Sequence, residues 1–313
     1  MHSLRHHLDL GEAAMKDGPH PEKARRDAEL LLMHTLKRNR AWLIAHDDEL
    51  LADDLCLSYA ELLERRRKGE PIQYIAGETE FYGLPFLVTP DVLIPRPETE
   101  HLVEKVLELA AQVQDAGAKA HEDCSAVTAR LKSCPDTKHY DSAAIRSIHI
   151  VDLGTGSGAI AVALAHKLPH ASVTATDISS RALAVARENA KRNGVAVRFL
   201  EGDLLAPVAG ERFEIIVSNP PYVAAADRDS LDVEVREHEP ALALFAGDDG
   251  LDIYRRLIPA AFDALERGGF VALEIGFGQS EAIADLLTSA GFERIEFVPD
   301  LQGIPRVACA RRP

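Results

Sequence analysis

Residues 218–223 read Ser-Asn-Pro-Pro-Tyr-Val and follow the apolar run Phe213 to Val217. Two consecutive prolines remove two backbone donors and forbid a helix, so the chain must leave its strand there as a stiff, extended turn. The turn carries one amide, Asn219, and one aromatic ring, Tyr222. Such a device suits a planar –NH2 group, whose nitrogen is a poor nucleophile because its lone pair is delocalised. Two fixed carbonyl oxygens can hold both N–H bonds and aim the nitrogen at an electrophilic methyl. The Asn219 side chain can supply one oxygen and the Pro220 main chain the other. Tyr222 can stack on the flat face of the acceptor. Positioning and stabilisation of the more positive nitrogen are then the source of rate. No general base is obligatory, because a methylated, cationic amide nitrogen sheds its proton readily. The plainer alternative is a rigid loop in which Asn219 caps its own turn.

The second element with chemistry is Val151–Ile160, VDLGTGSGAI, a strand running through a glycine turn into a helix. Glycines let a cofactor approach the backbone. Asp177 ends the next strand, the usual place for a carboxylate that binds ribose hydroxyls. Gly154, Gly156 and Ala159 also satisfy G-x-G-x-x-G/A, which leaves a nicotinamide enzyme open. Hydride transfer, however, needs a nearby acid or base, and Asn-Pro-Pro-Tyr supplies no strong one.

These residues need a sheet to hold them. From 147 onward strand, turn and helix alternate: strands in IHIVDL, SVTATD, VAVRFLEGD, FEIIVSN and FVALEIG, helices in GAIAVALAHKL, SSRALAVARENAKRNG, GLDIYRRLIPAAFDALERGG and GQSEAIADLLTSAG. Alternation implies a parallel, doubly wound α/β sheet. The closing runs FERIEFV and PRVACAR have no helix between them, which implies one antiparallel strand. Residues 4–68 read as successive helices, with Pro21 in a first turn, Ser58 as an N-cap and Gly69 as a stop. Residues 80–94 suggest a hairpin and Pro97 opens a further helix. Residues 113–146 are mostly small or polar and read as a mobile insertion. The expected division is therefore a helical domain over 1–70, a hairpin connector over 71–95 and a seven-stranded domain over 96–313. In the loop after Tyr222, Gly247 and Gly250 read as flexible points of a cover over the acceptor site.

The 313 residues are 46% hydrophobic and 27% charged, an ordinary globular composition. No window reaches membrane-spanning length, and the start lacks a signal-peptide core. Four cysteines without CxxC pairing and scattered histidines give no metal-binding pattern; the expectation is free thiols in the cytoplasm and no metal. Net charge is −15, and residues 1–70 carry 12 Lys and Arg against 14 Asp and Glu. The excess of acid thus falls on the sheet domain, whose surface repels a phosphate backbone and argues against direct nucleic-acid binding. The basic run at 65–68 reads as a solvated helix end suited to the C-terminal dipole.

On LIPRPETE, VDLGTGSGAIA, TATDIS, NPPY, ALEIGFGQ and the closing DLQGIPR, in order along nearly the whole chain, the sequence resembles the class I S-adenosylmethionine-dependent methyltransferases. More narrowly, it is similar to the peptide chain release factor glutamine methyltransferases, the PrmC/HemK family. The resemblance implies a class I methyltransferase sheet, S-adenosylmethionine as cofactor, and methylation of the side-chain amide of the glutamine in a release factor's Gly-Gly-Gln motif. By position it implies that Gly154, Thr155, Gly156, Ser157 and Gly158 wrap the cofactor, that Asp177 holds its ribose and that Asp203 and Leu204 border the adenine. Leu204 stands where the family often has an aromatic residue. Asn219, Pro220, Pro221 and Tyr222 would hold the substrate glutamine, with Asn219 also lining the cofactor pocket. The helical domain would grip the release factor, and a monomer is expected. Rival readings are an adenine-N6 methyltransferase, which would need a basic groove, a ribosomal-protein glutamine methyltransferase, and a non-catalytic S-adenosylmethionine-binding scaffold.

Overall fold

The computed structural model describes residues 2–129 and 147–313, which fall into two compact units. Unit one comprises Met1–Thr79, Leu87–Ile94 and Asp227–Ala241, and unit two the rest of the described chain. The helical unit therefore does not stop at residue 70; it takes in a later segment of chain.

Unit one holds α1 (Leu4–Met15), α2 (Ala24–Leu36), α3 (Arg40–Ala45), α4 (Asp53–Arg67), α5 (Ile72–Ala76) and, from the later segment, α9 (Val233–His238). Ser3 caps α1 and Asn39 caps α3, each side chain accepting a main-chain N–H of the first turn. Pro21 opens a 3-10 turn that leads into α2. Ser58 is not a cap: α4 begins five residues earlier, at Asp53, where Asp53 and Asp54 place negative charge at the positive end of the helix. The core is Leu4, Leu8, Met15, Ala28, Leu31, Leu32, Leu43 and Tyr59.

One cation sits inside this unit. Of the basic run read as a solvated helix end, Arg66 is only 4% exposed. Its Nε donates to Asp27 at 2.6 Å, its Nη2 to Glu234 at 2.6 Å and its Nη1 to the Glu70 carbonyl at 3.0 Å. His20 Nε2 lies 2.8 Å from Glu234 and 3.0 Å from Asp232. A guanidinium taken out of water is tolerable only with such partners, and they tie α9 to α2 and α4.

Strands β1 (Glu78–Phe81) and β2 (Leu84–Leu87) form a hairpin. Its turn residues, Tyr82 and Gly83, have φ of 53° and 74°, as a tight two-residue turn between twisted strands requires.

The sheet of unit two contains β3 (His149–Leu153), β4 (Ser172–Asp177), β5 (Arg198–Glu201), β6 (Phe213–Ser218), β7 (Leu265–Glu274), β8 (Glu293–Pro299) and β9 (Pro305–Arg311). Their order is β5-β4-β3-β6-β7-β9-β8, parallel except for β9, which runs antiparallel to both neighbours. The helices are α6 (Thr99–Ala129), α7 (Ala159–Lys167), α8 (Ser180–Arg192), α10 (Asp252–Ala264) and α11 (Ser280–Ser289). Strand alternation divides the core into two layers. Ile150, Ile215 and Val217 join Leu102, Val106 and Leu164 on one face, while Val151, Ile216 and Leu273 join Tyr254, Leu257 and Ile283 on the other.

Three boundaries differ from the sequence reading. Leu265–Gly269, read as the tail of a helix, is strand, because Leu265 already pairs with Phe213 across an irregularity in the ladder. The helix opened by Pro97 starts at Thr99 and continues to Ala129, through the first part of the segment read as an insertion. The remainder of that segment, 130–146, lies outside the described residues. Among the described residues no helix is long and apolar enough to cross a membrane.

Candidate active site

Register brings the predicted residues to one level. Leu153 pairs with Thr176 on one side and with Ser218 on the other, so Gly154, Asp177 and Asn219 each follow at the carboxyl ends of β3, β4 and β6. Strand order reverses at β3, which is where ligands bind in open parallel sheets. Ser218 in turn pairs with Leu273. Glu274, at the end of β7, therefore stands level with Asn219.

The glycine turn is shaped for a ligand. Gly154 and Gly156 have φ of 70° and 55°, and a Cβ at either would meet nothing within 4 Å. Open space lies in front of them, and side chains there would fill it. Gly158 differs: a Cβ would come 3.0 Å from that of Ala186, so this glycine serves the approach of α7 to α8. Thr155 and Ser157 are buried. The Thr155 hydroxyl donates to Asp152 Oδ2 at 2.6 Å, and the Ser157 carbonyl accepts from Asn189 at 2.8 Å. Both hold the turn in shape from behind.

Asp152 went unremarked in the sequence reading. It is fully buried, and its Oδ1 has no hydrogen-bond partner among the described residues. Burial pushes its carboxyl up to about 7. A carboxylate oxygen in this condition is suited to an ammonium group.

Asp177 accepts from the Gly156 N–H at 2.8 Å and the Ser179 N–H at 2.8 Å, one on each oxygen. Burial raises its pKa and these amides oppose the rise. Each oxygen keeps a further lone pair for a hydroxyl. Asp203 is ion-paired with Arg256. Leu204 adopts φ of 48°, and its carbonyl accepts from the Thr176 hydroxyl at 2.8 Å, which fixes the turn beyond β5 beside β4.

At the motif itself, Pro220 is buried and Asn219 and Pro221 are half-buried. Val223 bridges to Phe245 through Val223 N–H to Leu244 and Ala246 N–H to Val223. The Tyr222 carbonyl accepts from Gln279 Nε2 at 3.0 Å. A Cβ at Gly250 would lie 2.2 Å from that same carbonyl. Gly250 is thus demanded by close approach, with φ of 75°, and is not the flexible point the sequence reading assigned. Gly247 likewise has φ of 79°, and a Cβ there would strike the Asp252 carboxylate.

The polar side of the motif reaches two further residues that the sequence reading missed. Asn219 Nδ2 donates to Thr99 Oγ1 at 3.1 Å, and Thr99 Oγ1 donates to Glu274 Oε2 at 2.6 Å. The Tyr222 hydroxyl lies 3.4 Å from Glu274 Oε1. Thr99 has a single hydroxyl proton and gives it to the carboxylate, so it must accept from Asn219. The NH2 of Asn219 is thereby committed, and its Oδ1 is the end left to accept. Burial pushes Glu274 up to about 7, against the hydroxyls of Thr99 and Tyr222, and burial also raises Tyr222. The signal that could have found Glu274 is its place at the close of the strand that pairs beside the NPPY strand.

Comparison with known proteins identifies the family. The family described as "Methyltransferase small domain" matches residues 137–236, and "PrmC N-terminal domain" matches residues 9–77. A protein of Koribacter versatilis named release factor glutamine methyltransferase is 41% identical, the match covering 95% of this chain and 93% of that one. One of the same name from Moorella thermoacetica is 43% identical over 93% of this chain and 92% of its own. Among solved structures, the hMettl16 catalytic domain in complex with MAT2A 3'UTR hairpin 6 has a TM-score of 0.52 at 14% identity, covering 83% of this chain and 82% of that one. That likeness concerns the fold alone.

Proposed function

Because the chain belongs to the release factor glutamine methyltransferases, we propose that Asn219 and Pro220 hold the amide of a release factor's Gly-Gly-Gln glutamine for methylation at N5. The cofactor is S-adenosylmethionine, which when bound supplies a sulfonium methyl group. The residues present fit it. The open cradle at Gly154 and Gly156 gives room for its approach to the backbone. Asp152 offers an unpaired carboxylate oxygen for its ammonium group, and Asp177 offers lone pairs for its ribose hydroxyls. Asp203 and Leu204 stand at the end of β5, where they would border the adenine.

Asn219 Oδ1 accepts one N–H of the glutamine amide and the Pro220 carbonyl, fixed by the proline ring, accepts the other. Both oxygens favour the nitrogen as it becomes more positive, and both orient it. Tyr222, anchored through its carbonyl and hydroxyl, supplies a flat face beside them, and Pro221 stiffens the turn. Transfer forms the N–C bond and breaks S–C, and the nitrogen then gives one proton to solvent. The products are N5-methylglutamine and S-adenosylhomocysteine. What carries this reading is the commitment of the Asn219 NH2 to Thr99, which leaves an oxygen and not a nitrogen to meet the substrate's N–H. Unit one would recognise the release factor, a role that its match to a separate N-terminal family supports. A translation factor as substrate supports a cytoplasmic location for the enzyme.

The test is mass mapping of a bacterial release factor after incubation with the protein and S-adenosylmethionine. One added methyl on the Gly-Gly-Gln glutamine is expected. Transfer to naked DNA with none to the release factor would overturn the reading.

A further inference from the structure

Resting on that reading, we infer that Glu274 and Thr99 are positioning residues that set which end of the Asn219 amide faces the substrate, and that only ionised Glu274 sets it correctly. The argument is one of proton direction. An ionised carboxylate can only accept, so Thr99 donates to Glu274 and accepts from Asn219, and Asn219 presents oxygen. A protonated Glu274 can donate to Thr99 Oγ1. The Thr99 proton is then released towards Asn219, whose amide is satisfied equally well after turning over. Turned over, it offers NH2 to a substrate that also offers N–H, and the clamp loses one of its two acceptors. The charge of a group two hydrogen bonds away from the Asn219 amide thus becomes the polarity of the clamp.

The surroundings of Glu274 place this switch in a working range. Burial is the main influence and favours the neutral form, as does Glu98 beside the start of α6. Thr99, the Tyr222 hydroxyl and Arg306 on β9 favour the charged form. Arg306 is itself held by Asp300 at 3.0 Å. From α10, the Tyr254 hydroxyl donates at 2.6 Å to the main-chain carbonyl of Glu274, which pins the residue without touching its carboxylate. Arg96, just before α6, faces Tyr222. The balance leaves Glu274 titrating at about 7, so ordinary assay buffers cross it.

Three variants and one pH series test the idea, with methyl transfer to a release factor read by mass and cofactor affinity measured separately. Wild-type kcat is expected to fall as pH drops through about 7. In Glu274→Gln, which cannot change charge, that acidic limb is expected to vanish. Thr99→Val keeps the volume but breaks the chain of hydrogen bonds. It is expected to lower kcat about 30- to 100-fold, less than the ~100- to 1000-fold for loss of a partner at the reacting group itself because Asn219 is still present, with cofactor affinity within about threefold. Thr99→Ser should recover most of the rate, which a purely structural role for the threonine would not require. The inference is overturned if Thr99→Val retains kcat within threefold of wild type, or if the acidic limb persists in Glu274→Gln. Should Glu274→Gln fold poorly, the limb in Thr99→Val against Thr99→Ser decides the matter: it should be absent in the first and present in the second. A wild-type protein that leaves the release factor unmethylated would defeat the parent reading; a wild type that methylates it, with variants unchanged, would defeat this inference alone.

Discussion

Asn219→Ala removes one of the two oxygens proposed to hold the glutamine nitrogen, and with it the amide that donates to Thr99. A hydrogen bond to a group that becomes charged is worth ~1.5–3 kcal/mol. Loss of one preorganised partner at developing charge costs ~2.7–4 kcal/mol, about 100- to 1000-fold in kcat. The Pro220 carbonyl remains, and Thr99 loses only a donor, its own proton still satisfied by Glu274. The expected loss therefore falls near the overlap of the two ranges, ~3 kcal/mol or about 150-fold in kcat. The assay is single-turnover methylation of a release factor followed by intact mass, with S-adenosylmethionine affinity measured by calorimetry on the same preparation. Affinity should change by less than about threefold, because the glycine turn, Asp152 and Asp177 are untouched. A kcat within fivefold of wild type would refute the clamp. So would an affinity that falls in step with the rate, since Asn219 would then be serving the cofactor and not the acceptor.

Stability should depend on pH through the two buried carboxyls. Burial raises Glu274 from 4.5 to about 7 and Asp152 from 3.8 to about 7. Between those values the folded protein holds protons that the unfolded chain has released, so stability falls as pH rises through this window and the loss is complete above it. Glu274→Gln should accordingly stabilise the protein at pH 8 more than at pH 5, by as much as ~3 kcal/mol; urea midpoints that shift equally at both pH values would contradict this. In unit one, Glu234→Ala leaves buried Arg66 short of a partner and should cost ~3 kcal/mol, whereas Asp9→Ala, which breaks an exposed pair with Arg25, should cost under ~1 kcal/mol. Equal urea midpoints for the two variants would show that Arg66 finds water when Glu234 is gone. Ile44 and Leu57 are exposed apolar residues of unit one. If that unit grips the release factor, aspartate at either should raise KM for the release factor several-fold with cofactor affinity unchanged, and an unchanged KM for both would count against the role.

The parts of the fold that were legible in the sequence are those with strong local punctuation. Gly154 through Gly158 announce a turn because glycine adopts its left-handed dihedral angles at the least cost, and the missing helix between β8 and β9 announces the antiparallel strand. The end of α10 was not legible, since LERGG has the polar look of a helix tail and becomes strand only because Leu265 finds Phe213. Ser58 looked like a cap because its local neighbours suit one, but the helix had already begun at Asp53. Arg66 lies in a run of four basic residues, and nothing local separates the buried one from the three that face water. Gly247 and Gly250 looked like hinges; what requires them is the presence of Asp252 and the Tyr222 carbonyl, partners that only the folded chain brings near.

The active site divides along the same line. Asn219 could be found because two prolines make its turn unlike any ordinary loop, and its chemistry follows from one amide held rigid. Thr99 and Glu274 stand 175 positions apart, each inside a segment that carries the family resemblance, LIPRPETE and ALEIGFGQ, but neither segment by itself shows that the two meet. Glu274 comes to Asn219 because Ser218 pairs with Leu273, which sets the residue after β6 level with the last residue of β7. In a parallel sheet all the strands end on the same side, so once a motif is placed at one strand end its neighbours are the residues that close the adjacent strands. Applied to FVALEIG, whose glutamate closes the strand next to NPPY, that rule makes Glu274 a candidate from sequence and topology together. Thr99 remains hidden, because a helix start has no register with a strand. The direction of the Asn219 amide is thus determined by one residue that topology can predict and one that only packing supplies.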